Sequence, residues 1–178
     1  TLTAQPANPT TATSASFSFS DAEAGVSFLC QLDAGGFAAC SSPQGYPGPL
    51  GEGAHTFQVK AKDAAGNESG PTSYSWTIDT TAPDTSLTGT PPVLSNSSSA
   101  SFSFSATEAG SSFQCKLDAG TFAPCTSPVS YTALGDGSHT FEVKATDPIG
   151  NPDPTPASYT WTIDTTAPDT SLTGTPPV

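Results

Sequence analysis

The chain has 178 residues, with four lysines, no arginine and 16 acidic residues, giving a formal net charge of −12. A surface of that sign repels nucleic acid and anionic membranes, and it suits a soluble extracellular protein or one that gathers cations. No apolar run is long enough to span a bilayer, no signal peptide is present, and the chain lacks methionine, so it reads as a segment of something longer.

Taken in order, the chain reads as short strands. Leu2 to Ala4 opens it, before a turn region around Pro6 and Pro9. In Ala15 to Ser20, Phe17 and Phe19 fall on one face and Ser16, Ser18 and Ser20 on the other. That is the period-2 pattern of a half-buried strand. Val26 to Leu32 follows, with Phe28, Cys30 and Leu32 on one side, and then a hairpin signal at Asp33-Ala34-Gly35-Gly36. A short strand is expected near Tyr46. His55 to Ala61 alternates again with Phe57 and Val59 inward, and Ser73 to Asp79 closes the set with Tyr74, Trp76 and Ile78 inward. High Pro 18 and Gly 16 could mean disorder, but this alternation argues for strands joined by turns.

The pattern then repeats. Asp79 to Val93 recurs residue for residue at Asp164 to Val178, an offset of 85 residues. Phe102, Phe104, Phe113, Cys115, Cys125, Tyr131, Trp161 and Ile163 stand where that step places them. The organisation read from this is a first repeat over 1–81, a second over 82–166, and over 167–178 a linker and the first strand of a third. About seven strands in about 85 residues, with no helical period, is an immunoglobulin-like or fibronectin type III-like β-sandwich.

The four cysteines form two equivalent pairs, one per repeat, which reads as one disulfide per unit in an oxidising compartment. Cys30 and Cys40 lie five residues either side of Gly35, so a hairpin centred there sets them directly opposite each other, and the same holds for Cys115 and Cys125. Nine intervening residues and no neighbouring base argue against redox catalysis.

From Ser112 to Asn151, and again at the Asp-Thr-Thr-Ala-Pro junctions and the His-Thr-Phe-x-Val-Lys-Ala strands, the sequence resembles the bacterial Ig-like repeats of very large secreted or surface-attached proteins. The likeness covers nearly the whole chain. It implies stalks, fibres or adhesin shafts, and neighbouring repeats as partners.

No catalytic constellation is evident, so an enzyme is not expected. His55 and His139 occupy equivalent positions and read as structural. The acidic loops allow two readings. In a sandwich of this topology, Glu108, Asp147, Asn151 and Asp153 fall at one end of the second repeat, and Asp79 and Asp84 flank the junction expected to meet it. Asp79, Asp84, Glu108, Asp147 and Asn151 are then candidate ligands for calcium at the seam, which the resemblance favours. Alternatively they are solvated turn formers. The functional expectation is a structural rod, stalk or filament module of an extracellular or cell-surface protein. The alternatives are an adhesive or carbohydrate-binding module, or a pilus-like subunit assembled by strand donation through 171–178.

Overall fold

The computed structural model describes residues 1–171, 173 and 174, and all regular structure among them is β. The chain divides into two compact units, Thr1–Thr81 and Ala82–Val178.

The first unit has seven strands: β1 (Leu2–Ala4), β2 (Ala15–Phe19), β3 (Ser27–Leu32), β4 (Ala38–Cys40), β5 (Gln44–Tyr46), β6 (Gly53–Lys62) and β7 (Thr72–Ile78). They form a three-stranded sheet in the order β1-β2-β5 and a four-stranded sheet in the order β4-β3-β6-β7. Alternation decides the faces: Phe17 and Phe19 on β2 are buried, as are Phe57 and Val59 on β6 and Trp76 and Ile78 on β7. The sheets close on an aromatic stack. Phe17 lies 4.0 Å from Phe57 and 5.2 Å from Trp76, while Phe19 meets Phe28 at 4.9 Å. Each such ring contributes about 1.5–3 kcal/mol through burial. Tyr74 lies nearer the rim, and its hydroxyl donates to the Pro6 carbonyl at 2.8 Å, tying the proline segment to the sandwich.

The second unit repeats this plan with one strand more than expected: β8 (Thr85–Gly89), β9 (Leu94–Ser95), β10 (Ala100–Ala106), β11 (Ser112–Leu117), β12 (Ala123–Cys125), β13 (Val129–Tyr131), β14 (Gly137–Thr146) and β15 (Ala157–Ile163). Its sheets run β13-β10-β8 and β12-β11-β14-β15-β9. After β8 the chain crosses to the other sheet, and β9 pairs parallel with β15. In the first unit the crossing leaves only a parallel bridge between Thr10 and Ile78. The first strand of this unit begins at Thr85. Phe102 stacks on Phe141 at 4.1 Å and meets Trp161 at 5.1 Å, and Tyr159 donates to the Pro91 carbonyl. Both units are immunoglobulin-like β-sandwiches. The strand expected over 171–178 falls largely on residues outside those described.

The cysteine hairpin corrects one expectation. Cys30 pairs with Ala38 and Cys40 with Phe28, so the cysteines are diagonal neighbours rather than opposite ones. The turn is tighter than a centre at Gly35 implies: Asp33 has a φ of 51°, and the Gly35 amide donates to the Leu32 carbonyl at 3.0 Å. A side chain would crowd this turn, because a Cβ on Gly35 would sit 3.0 Å from that carbonyl oxygen, and one on Gly120 2.9 Å from the oxygen of Leu117. The diagonal still brings Cα atoms to 5.8 Å, and Cys30–Cys40 and Cys115–Cys125 are both bonded.

Candidate functional site

Four of the five residues considered for calcium belong to the second unit, at the end where β8 begins, β10 turns into β11 and β14 turns into β15. Hydrogen bonds tie the first two of these segments together. The Asp84 amide donates to the Thr107 hydroxyl at 2.9 Å, and the Thr107 amide returns to the Asp84 carbonyl at 3.0 Å. A Cβ on Gly110 would lie 3.3 Å from Pro148, which puts the Glu108 turn against the Asp147 loop. Glu108 and Asp147 each offer a carboxylate oxygen within 4.8 Å of the other. Asp84 itself is exposed.

Asp147 is engaged by its own loop. Its Oδ1 accepts the amides of Ile149 (3.0 Å), Gly150 (2.6 Å) and Asn151 (2.8 Å), while Oδ2 accepts the Asn151 side-chain amide at 2.8 Å. Burial pushes its pKa up, but the Asn151 and Gly150 donors outweigh this and hold it below the usual carboxylate value. Asp63 organises the equivalent loop of the first unit through the amide and side chain of Asn67. The Asp-x-x-Gly-Asn spacing is therefore a loop-building motif in both units. Asp79, the fifth candidate, follows β7 in the first unit. There its amide donates to the Thr10 carbonyl and its Oδ1 accepts the Thr81 amide at 3.1 Å.

Two arrangements were not anticipated from sequence. The first grips the residues after the last strand. Both Glu52 oxygens accept the Thr80 amide, at 3.0 and 3.1 Å. The Thr80 hydroxyl donates to Glu52 at 2.7 Å and the Thr81 hydroxyl at 3.4 Å. In the second unit Asp136 takes the Thr165 amide (3.0 Å) and hydroxyl (2.7 Å) and the Thr166 hydroxyl (3.0 Å). The threonine donors lower the pKa of Glu52 and of Asp136.

The second surrounds each histidine. His139 Nδ1 lies 2.8 Å from Asp118 Oδ2, and Nε2 lies 2.9 Å from the Gly135 carbonyl. Asp118 Oδ1 accepts the Thr140 amide at 2.7 Å. His55 does the same between Asp33 and Gly51, each at 2.9 Å. The rings are mostly covered, with side-chain exposures of 11% and 14%, and each lies near its tryptophan at 5.3 and 5.4 Å. The Gly51 and Gly135 hydrogen bonds, then those to Asp33 and Asp118, raise both histidine pKa values against a smaller desolvation effect.

No family model and no curated protein matches the sequence. Solved structures do match. The fibronectin(III)-like modules of Clostridium thermocellum CbhA are 16% identical, with a TM-score of 0.43 over 88% of each chain. A tetra-tandem repeat in the extending region of a large adhesion protein is 22% identical, with a TM-score of 0.38 over 86% of this chain and 46% of that one. The FN1–FN3 domains of chicken CNTN1 are 12% identical, with a TM-score of 0.40 over 88% and 64%. With identities under 25% and TM-scores under 0.5, these likenesses carry no argument about activity, and the sandwich assignment rests on the sheets of this chain.

Proposed function

We propose that the chain is a run of structural repeat modules from an extracellular stalk or filament, with neighbouring repeats of the same kind as its partners and no catalytic role. The observation that carries this reading is the duplication itself. Each unit closes its own aromatic core, bonds its own cysteine pair and holds its own Thr-Thr exit with an acid. A module so complete can be multiplied without changing its neighbours. Two disulfides favour an oxidising compartment. Strands of about seven residues at about 3.3 Å each, plus end loops, would give a rise of roughly 35–45 Å per unit. Small-angle scattering of this chain and of longer tandem versions tests the reading. Maximum dimension should grow linearly with unit number, and a compact two-unit particle would overturn it in favour of an independent binding module.

Calcium is the second reading, with Asp79, Asp84, Glu108, Asp147 and Asn151 as ligands. What favours it is the approach of Glu108 and Asp147 in the second unit, since two oxygens 2.3–2.6 Å from one ion can stand about 5 Å apart. What opposes it is the full set of amide donors already on Asp147 Oδ1. Calorimetric titration with calcium alone decides: saturable heat that disappears in Glu108→Gln supports the site, and no heat removes it.

A further inference from the structure

The hydrogen-bond partners of each histidine ring are a carboxylate and a backbone carbonyl. The Gly135 carbonyl can only accept, and so can the ionised Asp118 carboxylate. Both contacts of His139 are therefore made only when both ring nitrogens carry hydrogen, that is, by the imidazolium. The neutral ring must abandon one of them, and its own side chain is only 14% exposed, against 42% for that of Asp118. His55 faces the same choice between Asp33 and Gly51.

What each contact holds differs. Asp118 sits in the β11–β12 turn with a φ of 51° and also accepts the Thr140 amide. Gly135 immediately precedes Asp136, the acid that grips Thr165 and Thr166. The histidine thus joins the hairpin turn to the loop that clamps the outgoing chain. In the first unit the same line runs from Asp33 through His55 to Gly51 and Glu52, and on to Thr80 and Thr81.

We infer that each unit carries a proton-operated latch, in which the charged histidine fixes the Gly-acid loop and so holds the outgoing Thr-Thr segment, while loss of that proton frees the segment without unfolding the sandwich. The inference goes beyond the stalk reading and does not depend on it, because every contact lies within one unit. The ionisable groups facing His139 are Asp118 and, through the neighbouring residue, Asp136, with neutral Trp161 against the ring. Those around His55 are Asp33 and Glu52, with the Tyr46 phenol close enough to feel the Asp33 charge. No lysine pairs with either histidine or its aspartate among the described residues. The raised histidine pKa gives the direction. The contribution is fully present below the unfolded value of 6.5 and is lost as pH rises through the higher folded value. The latch is closed below 6.5 and opens as pH rises through the folded value.

The test is an NMR titration of the isotopically labelled chain from about pH 5 to about pH 9, following histidine ring nitrogens and amide exchange together. Both nitrogens of His139 should remain protonated past 6.5. Across its titration the Thr165 amide should lose protection by on the order of tenfold, while the Val143 core amide keeps its own. Asp118→Asn should bring the His139 midpoint back toward 6.5 and open the segment at correspondingly lower pH, with His55 as the unchanged internal control. His139→Gln, which carries no titrating proton, should make Thr165 exchange follow only the intrinsic pH dependence. A His139 midpoint at or below 6.5, or Thr165 protection that stays flat through the ring titration, overturns the latch, and the parent chain alone suffices for either result.

Discussion

The two units meet one problem with different side chains. Where β6 and β14 end, the amides of Ala61 and Ala145 need an acceptor. In the first unit the Ser69 hydroxyl reaches Ala61 directly at 2.9 Å. In the second, Asp153 stands at the matching place, since its amide bonds Ala145 as that of Ser69 bonds Ala61. Its carboxylate turns instead to the Thr85 amide at 3.0 Å, and the Thr85 hydroxyl accepts the Ala145 amide at 2.9 Å. Asp153 is 3% exposed and Thr85 5%. One solution is a single exposed hydroxyl. The other is a buried two-member relay that also fixes the first residue of β8. What the fold demands is satisfaction of that amide, and the side chain that supplies it is free to vary.

The largest effect should come where the units do not differ. Trp161→Ala should cost roughly 3–5 kcal/mol, and Trp76→Ala the same within about 1 kcal/mol. Calorimetry resolving two transitions checks both, and a marked asymmetry would mean the cores are less alike than their ring distances. Next comes the disulfide. Cys115→Ala with Cys125→Ala opens a loop of about eleven residues and should cost roughly 2.8 kcal/mol in the second unit alone. Reduction of the parent chain should lower both transitions together.

The comparison itself is sharpened by a pair of smaller changes. Asp153→Ala leaves the Thr85 amide buried without an acceptor and should cost about 1–3 kcal/mol, whereas Ser69→Ala, at an exposed site, should cost about 0.5–1.5 kcal/mol. Denaturant melts of the two variants settle the order, and equal losses would show that burial of the relay adds nothing. The smallest effect is local and pH-driven. Glu52 and Asp136 have pKa values lowered from 4.5 and 3.8, so their grip on Thr80 and Thr165 is present above those values and is lost as pH falls through the folded ones. Amide shifts of Thr80 and Thr165 should titrate with the carboxylates while the Phe57 and Phe141 amides do not move.

The strands were legible because burial imposes a period of two. Ala15–Phe19 and Thr72–Ile78 carry it openly, and the expected inward faces are the buried ones. β9 was not legible, since two residues after a Pro-Pro step have no period to read. The hairpin register slipped because sequence symmetry about Gly35 ignores the left-handed Asp33 that tightens the turn. At the sites, the acid that holds the Thr-Thr segment after β7 lies 28 residues earlier in the chain, too far for a local pattern to show. One signal existed. An acid between two glycines precedes the His-Thr-Phe strand in both units, as Glu52 and as Asp136, and a Thr-Thr pair follows the last strand in both. The loop role of Asp147 was within reach too, through its spacing to Gly150 and Asn151 shared with Asp63, Gly66 and Asn67.

The sheet-crossing of the first strand bears on force. In each unit the incoming segment runs parallel to the last strand. In the first, the Thr10 amide bonds the Thr77 carbonyl and the Asp79 amide bonds that of Thr10. In the second, the Thr162 amide bonds Val93 and the Asp164 amide bonds Ser95, at 2.8 and 2.9 Å. Tension applied at the two ends of a unit pulls such strands along their length in opposite directions. Both bonds of the pair then bear load at once, in shear, instead of opening one after the other as at a hairpin. The cysteine hairpin lies away from that line, so it adds nothing to the first resistance. Once the pair yields, however, the bond between Cys115 and Cys125 withholds ten residue steps, about 35 Å of contour, from the extension of the second unit.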